Sequence, residues 1–261
     1  MLALQVGSSP STLRRRFHEY LDVPPSIHKA EELTDIYLKV DATHFKKYGC
    51  LIVCKAGSRI IYYSWHASEN LVAYLEIFNR LKYMGYRVKA VTSDKHGSIV
   101  SAVKLSFQDI PHQYCTVHIQ RLCTSLITRN PQTEAGVKLK EIVSKVNRIQ
   151  GKHEKEEWQK QFRQFAHDYM DIMKQRTYMR REDGTKTWWY THKNLRHAFI
   201  FLRNSESNMF FYLEDGNLPK DTNGLEAEFT HLKSKLRIHR GLKRERRINF
   251  LYWYFCFKTE G

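Results

Sequence analysis

From Asp35 to Thr116 the apolar positions fall into short runs separated by polar turns, and after Val117 they recur at helical spacing almost without interruption. The first run, Ile36-Tyr37-Leu38-Lys39-Val40, predicts a strand that ends at Asp41. Cys50–Cys54 follows the Tyr48-Gly49 turn as a second strand, and Arg59–Trp65, rich in Ile and Tyr, makes a third. Their short connections predict an antiparallel meander. Leu71, Tyr74, Leu75, Phe78 and Leu81 share one face of a helix, with Ser68 as its cap and Gly85 as its stop. A fourth strand, Arg87–Thr92, runs into Ser93-Asp94. A helix over Gly97–Phe107 and a fifth strand over Gln113–Thr116 complete the series. The helical crossover between the third and fourth strands makes strands one and four parallel and adjacent.

From Val117 to Arg181 no strand is predicted, and the stretch is too long for a connection, so it reads as an inserted all-helical subdomain. Trp188-Trp189-Tyr190 follows, then a helix near Leu195–Arg203, an apolar run at Met209–Leu213 and a polar turn at Glu214–Asp221. Two last helices are predicted, Asn223–Leu236 and Arg244–Phe257. Tyr252, Trp253, Tyr254 and Phe255 in the second are too dense for an exposed face and are expected to be buried. At the other end, Leu2–Val6, the Gly7-Ser8-Ser9 turn and a helix from Pro10 to Tyr20 read as the end of a helix-turn-helix, with Asp22–Ser26 as a linker. Arg14, Arg15 and Arg16 would then meet phosphates or base edges. The equal alternative is an ordinary amphipathic helix with a basic face, because no helix precedes the pair; a partial gene product is one expectation.

The order strand, strand, strand, helix, strand, helix, strand predicts a ribonuclease-H-like α/β fold, a mixed five-stranded sheet with helices, interrupted by the helical insertion. The domains follow: 1–26, partial helix-turn-helix DNA-binding segment and linker; 27–116, first part of the catalytic core; 117–210, helical insertion; 211–261, the core's C-terminal helices.

Charge narrows the partners. The formal net charge is +16, and eight Lys/Arg residues against one Glu lie between His231 and Arg247. Such an excess favours a polyanion, because each cation set against a phosphate releases condensed counterions; a solvated basic face is the bland alternative. No apolar run approaches the ~18 residues of a membrane span, and the N-terminus lacks the order of charge and apolar residues of a signal peptide. No membrane partner is therefore expected, and a cytoplasmic location is. The five cysteines have no framework spacing and fit reduced thiols.

Three acids stand out. Asp41 and Asp94 each end a predicted central strand, and adjacency of those strands would bring them together. Two carboxylates ~4 Å apart repel by about 4 kcal/mol at an effective dielectric of 20, and a divalent cation between them reverses that repulsion. Oxygen ligands suit Mg²⁺ or Mn²⁺. Glu226 lies in the first turns of a helix whose Leu225, Phe229, Leu232 and Leu236 form an apolar stripe, so a helix packed on the sheet can aim it at the aspartates. Glu228 is the alternative. Two ions so held would activate a water or a DNA 3′-hydroxyl and stabilise the departing oxygen. Taken singly, each acid reads first as a surface or capping carboxylate, and only their joint placement favours the metal. Cys115 and His118 have the spacing of half a zinc site, but no second pair completes it, Cys50 and Cys54 notwithstanding. His44 reads as a solvated strand-exit residue before it reads as a DNA contact. Trp188 and Trp189 either stack on an unpaired base or pack in the helical subdomain.

The segments DATHF, TSDKHGSIVSAV, HQYCTVH and TNGLEAEFTHLKSKLRIHRGL resemble the DDE transposases of the Mutator superfamily, including the related bacterial insertion-sequence enzymes, over roughly residues 35–258. The 52 residues between Asp41 and Asp94, and the 131 between Asp94 and Glu226, fit that family's core and inserted helices. The resemblance implies that Asp41, Asp94 and Glu226 are catalytic and hold two Mg²⁺ or Mn²⁺ ions. It places Asn223 where the family's Asn precedes the Glu, and Cys115 and His118 on its Cys-x-x-His signature, with His118 near the scissile phosphate. It implies cleavage of double-stranded DNA at inverted-repeat ends and joining to a target by a bacterial, nucleoid-associated protein, with a homodimer or larger assembly for synapsis. Lys233, Lys235, Arg237, Arg240, Lys243 and Arg244 then form a basic track for DNA beside the metals.

Overall fold

The computed structural model of the chain describes residues 7–26 and 33–259. The expected helix Leu2–Val6 lies outside them. Strand β1 runs Thr34–His44, β2 Cys50–Ala56 and β3 Arg59–His66. Both pairings are antiparallel. Gly49 makes the turn into β2 possible: its φ is +133°, and a Cβ there would lie 2.4 Å from the His66 carbonyl oxygen. β4 spans Tyr86–Ser93 and β5 His112–Tyr114, in a sheet ordered β3-β2-β1-β4-β5. The Thr34 amide donates to the Gly85 carbonyl at 3.0 Å, so β1 and β4 start side by side and run the same way. The sheet is therefore mixed, as the pattern predicts.

Helices α1 (Pro10–Leu21), α2 (Leu71–Tyr83) and α3 (Gly97–Ser106) are followed by α4 (Thr116–Ile127), α5 (Glu134–Lys145), α6 (Lys152–Lys174) and α7 (Lys193–Arg203), then α8 (Asn223–Ile238) and α9 (Arg244–Thr259). The cap of α2 is Asn70, whose Oδ1 accepts from the Ala73 amide at 3.0 Å; Ser68 instead accepts from the Asn70 side chain. One further pair of strands appears where none is expected before Arg181: β6 (Arg176–Arg180) and β7 (Lys186–Tyr190) form an antiparallel hairpin.

The chain divides into two compact units. The first holds the residues up to Val91, His96–Ile110 and the chain from Thr222 onward; the second holds Thr92–Lys95 and Pro111–Asp221.

In the first unit the alternation along the strands separates two cores. Ile36, Leu38 and Val40 of β1, with Cys50, Ile52 and Cys54 of β2, point to one face and bury against Tyr74, Ile77, Phe78 and Leu81 of α2 and Ile99, Ala102 and Val103 of α3. Leu51 and Val53 of β2, with Ile60 and Tyr63 of β3, point to the other. There they meet Leu225, Phe229, Leu232 and Leu236 of α8 and Leu251 and Phe255 of α9. The apolar stripe of α8 thus does what its spacing predicts. Of the dense aromatic run in α9, Phe255 is buried, while Tyr252, Trp253 and Tyr254 are half-buried. Helix α1 docks on α9: Arg246 donates to both carboxylate oxygens of Asp22 (2.6 and 2.9 Å), and Trp253 Nε1 donates to the carbonyls of Tyr20 and Val23.

In the second unit α4, α5, α6 and α7 enclose an aromatic core. Trp158 stacks on Phe162, Phe162 meets Phe199, and Trp158 Nε1 donates to the Ile142 carbonyl at 3.0 Å. Gln113 of β5 is fully buried, and its Nε2 donates to the Met209 carbonyl at 2.8 Å.

Candidate active site

Asp41 is the only carboxylate buried among the described residues, at 8% exposure. It does not end β1, as the apolar run suggests; three more residues of strand follow it. Val40 pairs with Cys54 and Asp41 with Val53, so Asp41 shares the Val53 face, the one covered by α8. A carboxylate carried that deep into a sheet costs stability unless hydrogen bonds or a cation compensate it. The Ala42 amide supplies one such bond, at 2.8 Å to Oδ1.

Glu226 stands in the first turn of α8, half-buried and next to the fully buried Leu225. The Thr222 carbonyl accepts from the amides of Leu225 (2.8 Å) and Glu226 (3.4 Å) and so starts the helix. At a helix N-terminus the macrodipole favours negative charge. Asp41 and Glu226 thus lie in one unit and on one face of the sheet. Glu228, two residues on, is engaged with α9: its Oε2 accepts from Tyr254 Oη at 3.3 Å and lies 3.4 Å from Lys258 Nζ. Asn223, the first residue of the helix, is exposed.

Asp94 follows β4 directly and is half-buried within the second unit. Its neighbours there are tightly tied. Ser93 Oγ lies 2.8 Å from His112 Nε2, and the Ser93 carbonyl accepts from the Cys115 amide at 2.7 Å. Burial of His112 among apolar groups lowers its pKa to about 4, so the ring is neutral. Lys95 donates to Ser205 Oγ at 3.0 Å, and burial lowers its pKa. Cys115 is buried, as expected of a structural thiol, and precedes α4; His118 lies half-buried in the first turn of that helix. Cys50, by contrast, faces the apolar core between the sheet and α2, where burial pushes its thiol up to about 11. Among the described residues no group of three or more His, Cys, Asp and Glu side chains is gathered closely enough to hold a metal ion.

One constellation escapes sequence reasoning. The Glu69 side chain is only 9% exposed and gathers three partners: His44 Nε2 at 2.8 Å, His96 Nδ1 at 3.1 Å and Tyr74 Oη at 2.7 Å. His44 lies three residues past Asp41 and His96 two past Asp94, so within the first unit Glu69 joins a residue shortly after each aspartate. His44 is mostly exposed, in line with its solvated reading, but it is anchored. Nothing local in the sequence marks Glu69, because its two histidine partners are distant in the chain.

Lys233, Lys235, Arg237, Arg240, Lys243 and Arg244 are all exposed, as are Arg14, Arg15 and Arg16 of α1. Arg15 lies 3.6 Å from Glu19. Among the described residues no helix is long and apolar enough to cross a membrane.

Residues 35–197 match the family described as Transposase, Mutator family, a span that contains Asp41, Asp94, Cys115 and His118 and stops short of Glu226. The chain belongs to the Mutator family of transposases. Membership makes this Mutator transposase a DNA-processing enzyme whose partner is DNA. No curated protein matches it.

Proposed function

We propose that this Mutator transposase is a ribonuclease-H-like DDE enzyme that cuts the DNA at the ends of its own element and joins the freed 3′-hydroxyls to a target. The observation that carries the reading is Asp41: a carboxylate buried mid-strand in a central strand, on the face covered by α8, the helix whose first turn holds Glu226. The meander followed by a parallel β4 supports the fold assignment. Asp94, at the end of the strand beside β1, completes the set in this proposal. Three carboxylates offer only oxygen donors, which suits Mg²⁺ or Mn²⁺ rather than zinc. Two such ions, when bound, supply Lewis-acid stabilisation of the attacking and departing oxygens.

The chain's own residues do the rest. The exposed cations from Lys233 to Arg244 hold the phosphate backbone, and His118 donates to a phosphate oxygen or to a carboxylate. No side chain need form a bond to DNA. Handling two ends together calls for at least a dimer. The region between β5 and α8 is the insertion of this scheme.

The test is cleavage of duplex DNA bearing the element's terminal repeats, with Mg²⁺, by the wild type and by Asp94→Ala. The expected result is end cleavage by the wild type, abolished by EDTA and at least about 100-fold slower in the variant, the equivalent of roughly 2.7 kcal/mol of transition-state stabilisation. Equal DNA binding with cutting by neither protein would overturn the catalytic reading and leave a DNA-binding protein. Adding a target plasmid separates a transposase, which inserts the ends, from a nuclease, which does not.

A further inference from the structure

The hairpin between α6 and α7 has two unlike faces, and its register sorts them. Arg176 pairs with Tyr190, Tyr178 with Trp188 and Arg180 with Lys186, so these six side chains share one face. Thr177, Met179, Thr187 and Trp189 share the other. The first face is therefore an aromatic centre of Tyr178, Trp188 and Tyr190 bordered by three cations, and neither strand contains a carboxylate. The acids of this region, Glu182 and Asp183, are in the turn, where Asp183 accepts from the Thr185 amide at 2.9 Å.

The aromatic centre is open. Tyr178 is 69% exposed and Trp188 48%. The Arg176 guanidinium stands 4.0 Å from the centroid of the Trp188 ring, and Arg196 of α7 stands 4.1 Å from that of Tyr190. Exposed rings gathered on one face of a two-stranded ribbon mark a contact surface. Cations held against rings offer planar stacking groups and phosphate partners at once. A duplex keeps its base faces stacked inside, whereas an unpaired strand presents both its base faces and its phosphates, the two chemistries this surface matches.

We propose that the face built from Arg176, Tyr178, Arg180, Lys186, Trp188 and Tyr190 is a stacking platform for an unpaired DNA strand. The proposal rests on the chain's acting on DNA, and it assigns the function to Trp188 and not to Trp189. Binding of a labelled oligothymidylate by the full chain, read as fluorescence anisotropy in EDTA, tests it without calling on metal or cleavage. Trp188→Ala should weaken binding roughly tenfold, the order of one lost base–aromatic stack. Trp188→Phe should retain most of the affinity. Trp189→Ala, on the opposite face of the same ribbon, should change it less than about twofold. Blunt duplex should bind Trp188→Ala about as well as it binds the wild type. Unchanged oligothymidylate binding by Trp188→Ala, or an equal loss in Trp189→Ala, would overturn the platform. An equal loss on blunt duplex would overturn it in favour of a duplex contact. Failure of the cleavage assay alone leaves this result intact.

Discussion

Burial of His112 against Ser93 fixes its charge, and a fixed charge has a pH signature. In the unfolded chain the ring takes up a proton below about 6.5; in the folded protein burial holds its pKa down to about 4. Between those values the unfolded state binds more protons, so stability falls as pH drops through the window and is unaffected above it. The loss has an upper bound of about 3 kcal/mol. Urea titrations at pH 7 and pH 4.5 should show a larger fall for the wild type than for His112→Gln, and equal falls would mean that His112 is already charged when folded. Glu69 makes a second prediction. Removing its carboxylate takes one acceptor from Tyr74 Oη, in a residue 1% exposed, and one partner each from His44 and His96. Glu69→Ala should therefore cost about 1–3 kcal/mol, read as a lower urea midpoint, whereas Glu76→Ala, more exposed and in the helix α2 that follows, should cost little.

At the scale of elements, helix α8 is held by its stripe, and its opposite face is exposed. Leu232→Ala, at a fully buried site against Leu51 and Val53, should cost about 2–5 kcal/mol. Lys233→Ala on the exposed side should shift the thermal midpoint little, and a comparable loss there would mean that α8 is not docked by its stripe. That stripe was legible because 3.6-residue spacing survives in sequence whenever one helix face is buried. The strands of the sheet are legible as short apolar runs between polar turns, continuous in β2 because both of its faces are buried. The hairpin β6–β7 was not: both of its faces are largely open to water, so RTYMR and KTWWY carry no alternation. The end of β1 was misjudged because apolar residues mark burial, and Asp41, Thr43 and their pairing continue the strand without them. The cap of α2 differed because Ser68 and Asn70 are both good caps, and the choice rests on which one reaches the Ala73 amide. At the candidate site, acids preceded by apolar runs drew the eye to Asp41 and Asp94. Glu69 had no such flag, since only the folded chain brings His44 and His96 to it.

Across the whole molecule the excess of positive charge has to be weighed by what each cation already touches. Arg246 is bound to Asp22 and holds α1 to α9, so it serves the fold. Lys233, Lys235 and Arg237 are exposed on the helix that carries Glu226, with Arg240 just past its end, and Lys233 Nζ stands 5.6 Å from the centroid of the Phe45 ring. If these four lie along the phosphates of bound duplex, each one neutralised by mutation removes about 0.9 from the slope of log K against log salt. The quadruple change to Ala should then flatten that slope by roughly three to four, with most of the affinity loss at low salt, where counterion release is strongest. Duplex binding titrated across a series of salt concentrations measures it directly. The magnitude separates two uses of the charge. A diffuse field from the whole chain would lose only a small share of its effect with four charges of 43 Lys and Arg, whereas a built track loses most of its slope. Arg246→Ala provides the internal contrast: it should lower stability by releasing α1 and leave the slope of the folded protein nearly unchanged, because its charge is already spent on a carboxylate.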